Sequence, residues 1–361
     1  MESDLAMLIK YWGVQGSIPS PLTTEDVRAK EFALIEAIQR QGGIERLFGK
    51  DVNETKVQEF LRNQPLSVSG TYGGDTTCLE VQARDSPLIM IDSGSGIRKL
   101  GKILIQRLFS DQNLNPLDSD LNRKREVHLF LTHYHWDHIQ GFPFFDPAFI
   151  SGDNKLKIYF YGKPDPRMRL SDVLKGQQQV PNFPVEWLEM PCDKEYDGEL
   201  NRMAPYEIKI GDAVVSFAEL NHPKTKTLGY AISVGGKKFV CATDTEHFGV
   251  LDQTLVKLAE DADVLYYDAQ YTPEEYAGLV GMPKTGWGHS TYEWAVKTAL
   301  AANVKIVVLG HHEPTRDDFG IEVVHQRALR YLDEQLKRSD NKGKELEIVM
   351  GYQGLEQKLA A

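Results

Sequence analysis

The sequence predicts an α/β protein, and two observations lead there. Short runs rich in Val, Ile, Leu, Phe and Tyr alternate with segments of helical periodicity. The chemically loaded residues sit directly after the apolar runs, where a rigid sheet edge can hold several side chains in fixed geometry.

Strands are expected at Leu8–Trp12, Cys78–Gln82, Leu88–Ile91, Val127–Leu131 and Lys157–Tyr161. More follow at Val214–Leu220, Tyr230–Val234, Lys238–Ala242, Val264–Tyr267 and Lys305–Leu309. Gly235 and Gly236 supply the positive φ angles of a tight hairpin turn between two of them. Helices are expected over Glu25–Gln39, closed by Gly42 and Gly43, and over Gly96–Leu108, Leu251–Ala259, Tyr292–Ala302 and Ile321–Arg338. Residues 22–68 carry two polar helical segments and read as an insertion, one that caps or dimerises, within a single domain spanning 1–361.

At 361 residues, 41% hydrophobic and 26% charged, the chain has an ordinary globular composition, without repeats or low-complexity tracts. A net charge of −11 repels nucleic acid and anionic membrane over most of the surface, so neither long nucleic acid nor membrane is expected as a partner. The start, MESDLAMLIKYWG, lacks a signal-peptide pattern and no run approaches a membrane span, which predicts a cytoplasmic protein. Cys78, Cys192 and Cys241 lie in or near apolar settings and are expected as buried thiols.

The stretch LTHYHWDHIQGFPFF crowds His133, His135 and His138 around Asp137 within six residues. A lone loop histidine is more often solvated than a ligand, but this cluster suits a borderline metal such as zinc. Other strand ends extend the set: SFAEL runs towards His222, FVCAT into Asp244 and VVLG into His311. We assign His133, His135 and His222 to one ion, Asp137, His138 and His311 to another, and Asp244 to a bridge. Two zinc ions, or manganese in their place, would lie roughly 3.5–4 Å apart and share a hydroxide. His312 competes with His311, which is preferred because it directly follows the strand and Gly310. His247, His128 and His325 are left out as solvated or structural. The run Gly96 to Lys102 imitates a phosphate loop, but Ile103 replaces the Ser or Thr that would hold magnesium. IDSGSG reads instead as a turn whose glycines let the backbone approach the histidine loop.

With these residues in place, the chain resembles the metallo-β-lactamase superfamily, and within it the ribonuclease Z branch. The likeness rests on GVQGSIPSP, GGDTTC, IDSGSG, the H-x-H-x-D-H loop and GHSTYEWAVKTALAANVKIVVLGH, and runs from about Leu8 to Asp318 outside the insertion. The resemblance implies a four-layer αββα sandwich. It also implies that His289 donates a proton to the leaving oxygen and that Asp268 orients it, so that His289, Asp268 and Asp137 form the catalytic set. Asp92 would orient a ligating histidine. Ser290, Thr291 or Lys284 are candidates for phosphate or base contact.

The ribonuclease's Gly-rich basic arm has no counterpart in residues 163–204. The motifs YGGDTTC, DSGSGIRKLG, DAQYTPEEY, GWGHST and GHHEP resemble instead cyclic nucleotide phosphodiesterases, among them phage enzymes that destroy cyclic pyrimidine signals and their bacterial homologues. That likeness implies a homodimer hydrolysing a small-molecule 3′,5′-cyclic nucleotide to the monophosphate. Asp75 stands where relatives often carry Asn, which removes support for a pocket contact there. The competing expectations are a ribonuclease Z-like tRNA 3′ endonuclease and a non-catalytic cyclic-nucleotide-binding protein.

Overall fold

The computed structural model describes residues 4–163, 168–199 and 207–361. One seven-stranded sheet has the order β14-β1-β2-β3-β4-β5-β6. It is built from β1 (Leu5–Gly13), β2 (Cys78–Ala83), β3 (Leu88–Ile91), β4 (Glu126–Phe130), β5 (Lys157–Gly162), β6 (Asp193–Glu199) and β14 (Glu356–Ala360). The second, also seven-stranded, has the order β13-β12-β11-β10-β9-β8-β7. Its strands are β7 (Glu207–Ile210), β8 (Ala213–Leu220), β9 (Thr227–Val234), β10 (Lys237–Ala242), β11 (Val264–Asp268), β12 (Ile306–Gly310) and β13 (Glu347–Met350).

Each sheet is half antiparallel and half parallel. β14, β1, β2 and β3 pair antiparallel, and β3 to β6 run parallel. In the second sheet β7 to β10 pair antiparallel and β10 to β13 parallel. The parallel strands LIMI and VLYYD are buried along their whole length, as strands covered on both faces must be. β8 alternates buried and partly exposed residues, the pattern of a strand with one wet face.

Three apolar layers give the four-layer αββα sandwich. Ile9, Tyr11 and Phe130 of the first sheet meet Tyr230, Ile232 and Tyr266 of the second between the sheets. Outside the second sheet, Val240 and Leu265 pack with Ala295 of the helix Tyr292–Ala301 and Val324 of the helix Asp318–Leu336. Outside the first, Met90 and Leu129 pack with Leu100 and Leu104 of the helix Ile97–Phe109. Gly101, inside that helix, packs against Pro147 and Phe145, as expected of a helix rather than a phosphate loop.

The anticipated strands form, with ends moved by a few residues; β6, β7, β13 and β14 were not anticipated. The insertion holds four helices rather than two: Thr24–Arg40, Ile44–Phe48, Glu54–Arg62 and Leu66–Ser69. Lys30 anchors the first of them through the carbonyls of Ser67 and Gly70 and an ion pair of 2.6 Å with Asp318. The Gly235–Gly236 hairpin forms, with φ of 55° and 73° and Val234 paired to Lys237. All three cysteines are free and buried. Among the described residues no helix is long and apolar enough to cross a membrane.

Candidate metal centre

The functional side chains collect where parallel strands end, the usual ligand edge of an α/β sheet. β4 leads through Thr132 into His133, β10 through Thr243 into Asp244, and β12 directly into His311, while Asp268 is the last residue of β11. Asp92, Asp244 and His311 turn there with φ of 58°, 52° and 57°. Left-handed backbone at three non-glycine residues around one cluster is local strain of the kind that gathers at functional sites.

Two overlapping groups result: His133, His135, His222 and Asp244, and Asp137, His138, Asp244 and His311. A third, Asp244, Asp268, His289 and His311, lies against them. Asp244 Oδ1 lies 3.1 Å from His138 Nε2 and 3.2 Å from His311 Nε2, and its Oδ2 lies 3.5 Å from His133 Nε2. Asp137 Oδ2 lies 3.3 Å from His138 Nε2 and 3.2 Å from His311 Nε2. His222 Nε2 lies 3.2 Å from His135 Nδ1.

These residues fit a divalent cation on two grounds. Ligand atoms at about 2.0–2.2 Å from a tetrahedral ion stand about 3.3–3.6 Å from one another, close to the separations found. Moreover, His133 Nε2 and His138 Nε2 are buried without hydrogen-bond partners. Orphaned buried nitrogens are rare unless something else satisfies them.

The far sides of the rings are held. Asp92, itself fully buried, takes His138 Nδ1 at 2.7 Å and also accepts the amide and hydroxyl of Thr132. Burial pushes the Asp92 carboxyl up, against the opposing His138 ring. His222 Nδ1 donates to the Gly288 carbonyl at 2.9 Å, which fixes the tautomer that leaves Nε2 free. The glycines of IDSGSG do bring the backbone close: a Cβ on Gly94 would stand 2.3 Å from the Asp137 carbonyl oxygen. The GVQGS stretch reaches the same place, since the Ser17 amide donates to Asp137 Oδ2 at 2.9 Å.

His289 Nδ1 lies 2.9 Å from Asp268 Oδ2, and the His289 ring stacks on that of His311 at 4.9 Å between centroids. His312 turns away: its Nε2 donates to the Gly351 carbonyl at 2.8 Å, and burial pushes its ring down to about 4. His247 is buried rather than solvated, stacked on Trp294 and 3.0 Å from Ser290 Oγ. His128 stacks on Tyr159. Ser290 and Thr291 are buried; the Ser290 hydroxyl is engaged by His247 and Tyr267, whereas the Thr291 hydroxyl has no hydrogen-bond partner among the described residues. Lys284 Nζ stands 4.1 Å over the Trp287 ring. Asp75 accepts from Ser95 and Gln353 and pairs with Lys99, a structural role. The sequence reading missed Glu246, Gly288 and Ser17, none of which is a ligating residue type in a recognisable spacing.

Charge within the cluster sets a pH dependence. Burial works against a charged ring at His138 and His311, but Asp244 and Asp137 outweigh it, holding His138 well above the usual range and His311 up to about 9. In the metal-free protein the His311 shift stabilises the fold below its ordinary pKa of 6.5, and that contribution is lost as pH rises through about 9. A ligating ring must give up its proton. Metal affinity is therefore expected to rise with pH through about 9, where the His311 ring loses its proton, with proton release on binding. Calorimetric titration in buffers of different ionisation enthalpy checks this, and a pH-independent affinity without proton release would contradict it.

Comparison with known proteins gives a family-level match. The profile of a beta-lactamase superfamily domain matches residues 89–312. Ribonuclease Z of Prochlorococcus marinus strain MIT 9215 is 22% identical over 245 residues, covering 55% of this chain and 74% of that protein. Ribonuclease Z of Picosynechococcus sp. is 25% identical over 236 residues, covering 55% and 71%. Among solved structures, human tRNase Z, short form, superposes with a TM-score of 0.55 at 16% identity, covering 98% of this chain and 100% of that one. Unliganded yeast PDE1 gives 0.55 at 14% identity, covering 98% and 99%. At such identities the structural likeness is one of fold.

Proposed function

The chain belongs to the metallo-β-lactamase superfamily, and from that premise we propose that it is a metal-dependent phosphodiesterase that opens small 3′,5′-cyclic nucleotides to linear monophosphates. The observation that carries this reading is one carboxylate, Asp244, shared by two ligand groups, with the His289–Asp268 pair beside them.

When bound, two divalent cations, zinc or manganese, supply Lewis-acid charge and lower the pKa of water. His133, His135 and His222 would hold one, Asp137, His138 and His311 the other, and Asp244 both. Asp92 and the Gly288 carbonyl keep two of the rings in the ligating tautomer. Asp268 engages His289 Nδ1, so Nε2 is the nitrogen left to protonate the departing ribose oxygen. A poor alkoxide leaving group makes such a general acid worth about 10²- to 10⁴-fold.

His289→Ala is accordingly expected to keep its metal content and lose about 10²- to 10⁴-fold in turnover of cyclic nucleotides. The loss should shrink for aryl esters such as a p-nitrophenyl phosphodiester. Equal loss across leaving groups would count against proton donation.

A small substrate is supported by the net charge of −11, because long polyanions are held through many Lys and Arg contacts. Within 163–204 the described residues fold back onto the first sheet: Leu170, Leu174 and Trp187 are buried in its outer apolar layer. Residues 164–167 and 200–204 of that stretch lie outside the described residues. A homodimer is supported by the helix Thr24–Arg40, which buries none of its residues and exposes Phe32 and Ile35. The second reading, a tRNA 3′ endonuclease, is favoured by the ribonuclease Z relatives at 22% and 25% identity.

Chromatographic product analysis separates the two. Metal-loaded protein is offered cAMP, cGMP, cCMP and cUMP beside an unprocessed tRNA. Conversion of a cyclic nucleotide with the tRNA untouched is the expected result, whereas cleavage of the tRNA alone would replace the first reading by the second. Metal-loaded protein that binds a cyclic nucleotide without turnover would indicate a sensor.

A further inference from the structure

Glu246 is fully buried two residues after Asp244, yet it belongs to none of the metal-capable groups among the described residues. Its carboxylate accepts three hydrogen bonds instead. Oε1 takes the Tyr276 hydroxyl and the Gly286 amide, each at 2.7 Å, and Oε2 takes the Gly288 amide at 2.8 Å. A buried carboxylate must be satisfied by donors. The two amides converge on it because Gly286 and Gly288 adopt φ of 85° and 95°, which other residues resist.

These amides end a segment with little core of its own: Leu279, Val280, Met282 and Trp287 are all exposed. Such a segment relies on a few polar contacts for its order. It finishes at Gly288, whose carbonyl holds His222 Nδ1 at 2.9 Å, and the next residue is His289, held by Asp268.

We propose that Glu246 is a positioning residue of the metal centre. By clamping the Gly286 and Gly288 amides it fixes the Gly288 carbonyl that sets the His222 tautomer, and it fixes the entry of the chain into His289. It thus acts on both metal holding and proton delivery while touching neither ion nor substrate. This rests on the reading of the cluster as a metal-dependent phosphodiesterase centre.

Glu246→Gln is the closest probe, because it keeps size and shape but turns an NH₂ donor towards an amide N–H. The readouts are zinc affinity by competition with a chromophoric chelator, exchange of the Gly286 and Gly288 amides, and the leaving-group dependence of turnover. Wild-type protein is measured first; if it binds no zinc, the metal reading fails and this inference falls with it.

Given zinc binding by the wild type, Glu246→Gln is expected to bind zinc about 10- to 100-fold more weakly, the usual cost of losing an outer partner of a ligand. Its two amides should exchange faster, and its leaving-group dependence should shift towards that of His289→Ala. Tyr276→Phe, which leaves both amide bonds in place, should stay within about twofold of wild type in zinc affinity on the same scale. Should the Gln variant not fold, Glu246→Asp keeps both acceptors on a shorter stem and is expected to lose zinc affinity several-fold. Wild-type zinc affinity and unchanged leaving-group dependence in the folded variant, despite faster amide exchange, would overturn the proposal: Glu246 would then merely tie down a loop.

Discussion

Asp244→Ala is expected to lose tight binding of both ions and to drop turnover by on the order of 10³-fold or more. The reason lies in its two oxygens: Oδ1 faces His138 and His311, and Oδ2 faces His133, so one carboxylate completes both groups. Removing any other ligand leaves one group intact, whereas removing Asp244 breaks both. Lewis-acid stabilisation is worth several kcal/mol, and each ~1.4 kcal/mol is tenfold in rate. The fold should survive, because the apolar layers around Tyr230, Leu265 and Leu129 do not include this residue. Metal analysis of the dialysed variant, with circular dichroism as the control for folding, checks the expectation. A folded variant retaining two ions would show that Asp244 is not shared.

Gly288→Ala is the second large effect, and it arises from a single methyl group. Gly288 has φ of 95°, where an L side chain is strained, and its Cβ would stand 1.9 Å from His222 Nδ1 and 2.1 Å from His222 Cε1. The ring cannot remain where it is. Either it rotates out of the centre, losing the 2.9 Å bond to the Gly288 carbonyl, or the backbone shifts and carries His289 with it. Backbone strain costs about 1–3 kcal/mol and overpacking a further 1–3 kcal/mol. The variant is expected to lose stability on that order, together with zinc at the His133, His135 and His222 group and most turnover. Thermal unfolding with and without zinc measures both parts: a reduced gain in Tm on adding zinc is expected, and a gain equal to that of wild type would contradict the account.

How much of this could be read from sequence depends on where each residue sits. Strands that are buried on both faces, such as LIMI and VLYYD, announce themselves as continuous apolar runs. The four strands that escaped notice, β6, β7, β13 and β14, are the four edges of the two sheets. Edge strands are kept short or charged to discourage pairing with other chains: DKEYDGE and EQKLA are charged and lack the apolar pattern that betrays a strand, and EIKI and EIVM are only four residues long.

The same contrast holds at the centre. Histidines and aspartates after apolar strands are visible because ligand chemistry restricts residue type, and the structure brings all of them together. Glu246 and Gly288 act through backbone groups: one accepts two amides, the other offers a carbonyl and the absence of a Cβ. Backbone donors carry no residue signature, so only folding reveals them.

The central claim is that this chain holds two ions on the two groups joined by Asp244. The most direct test is metal stoichiometry of the intact protein by inductively coupled plasma mass spectrometry after zinc loading and removal of excess metal, with anomalous diffraction to place the ions. Two zinc ions per chain, one beside His133, His135 and His222 and one beside Asp137, His138 and His311, is the predicted result. A single ion, or none, at saturating zinc would contradict it.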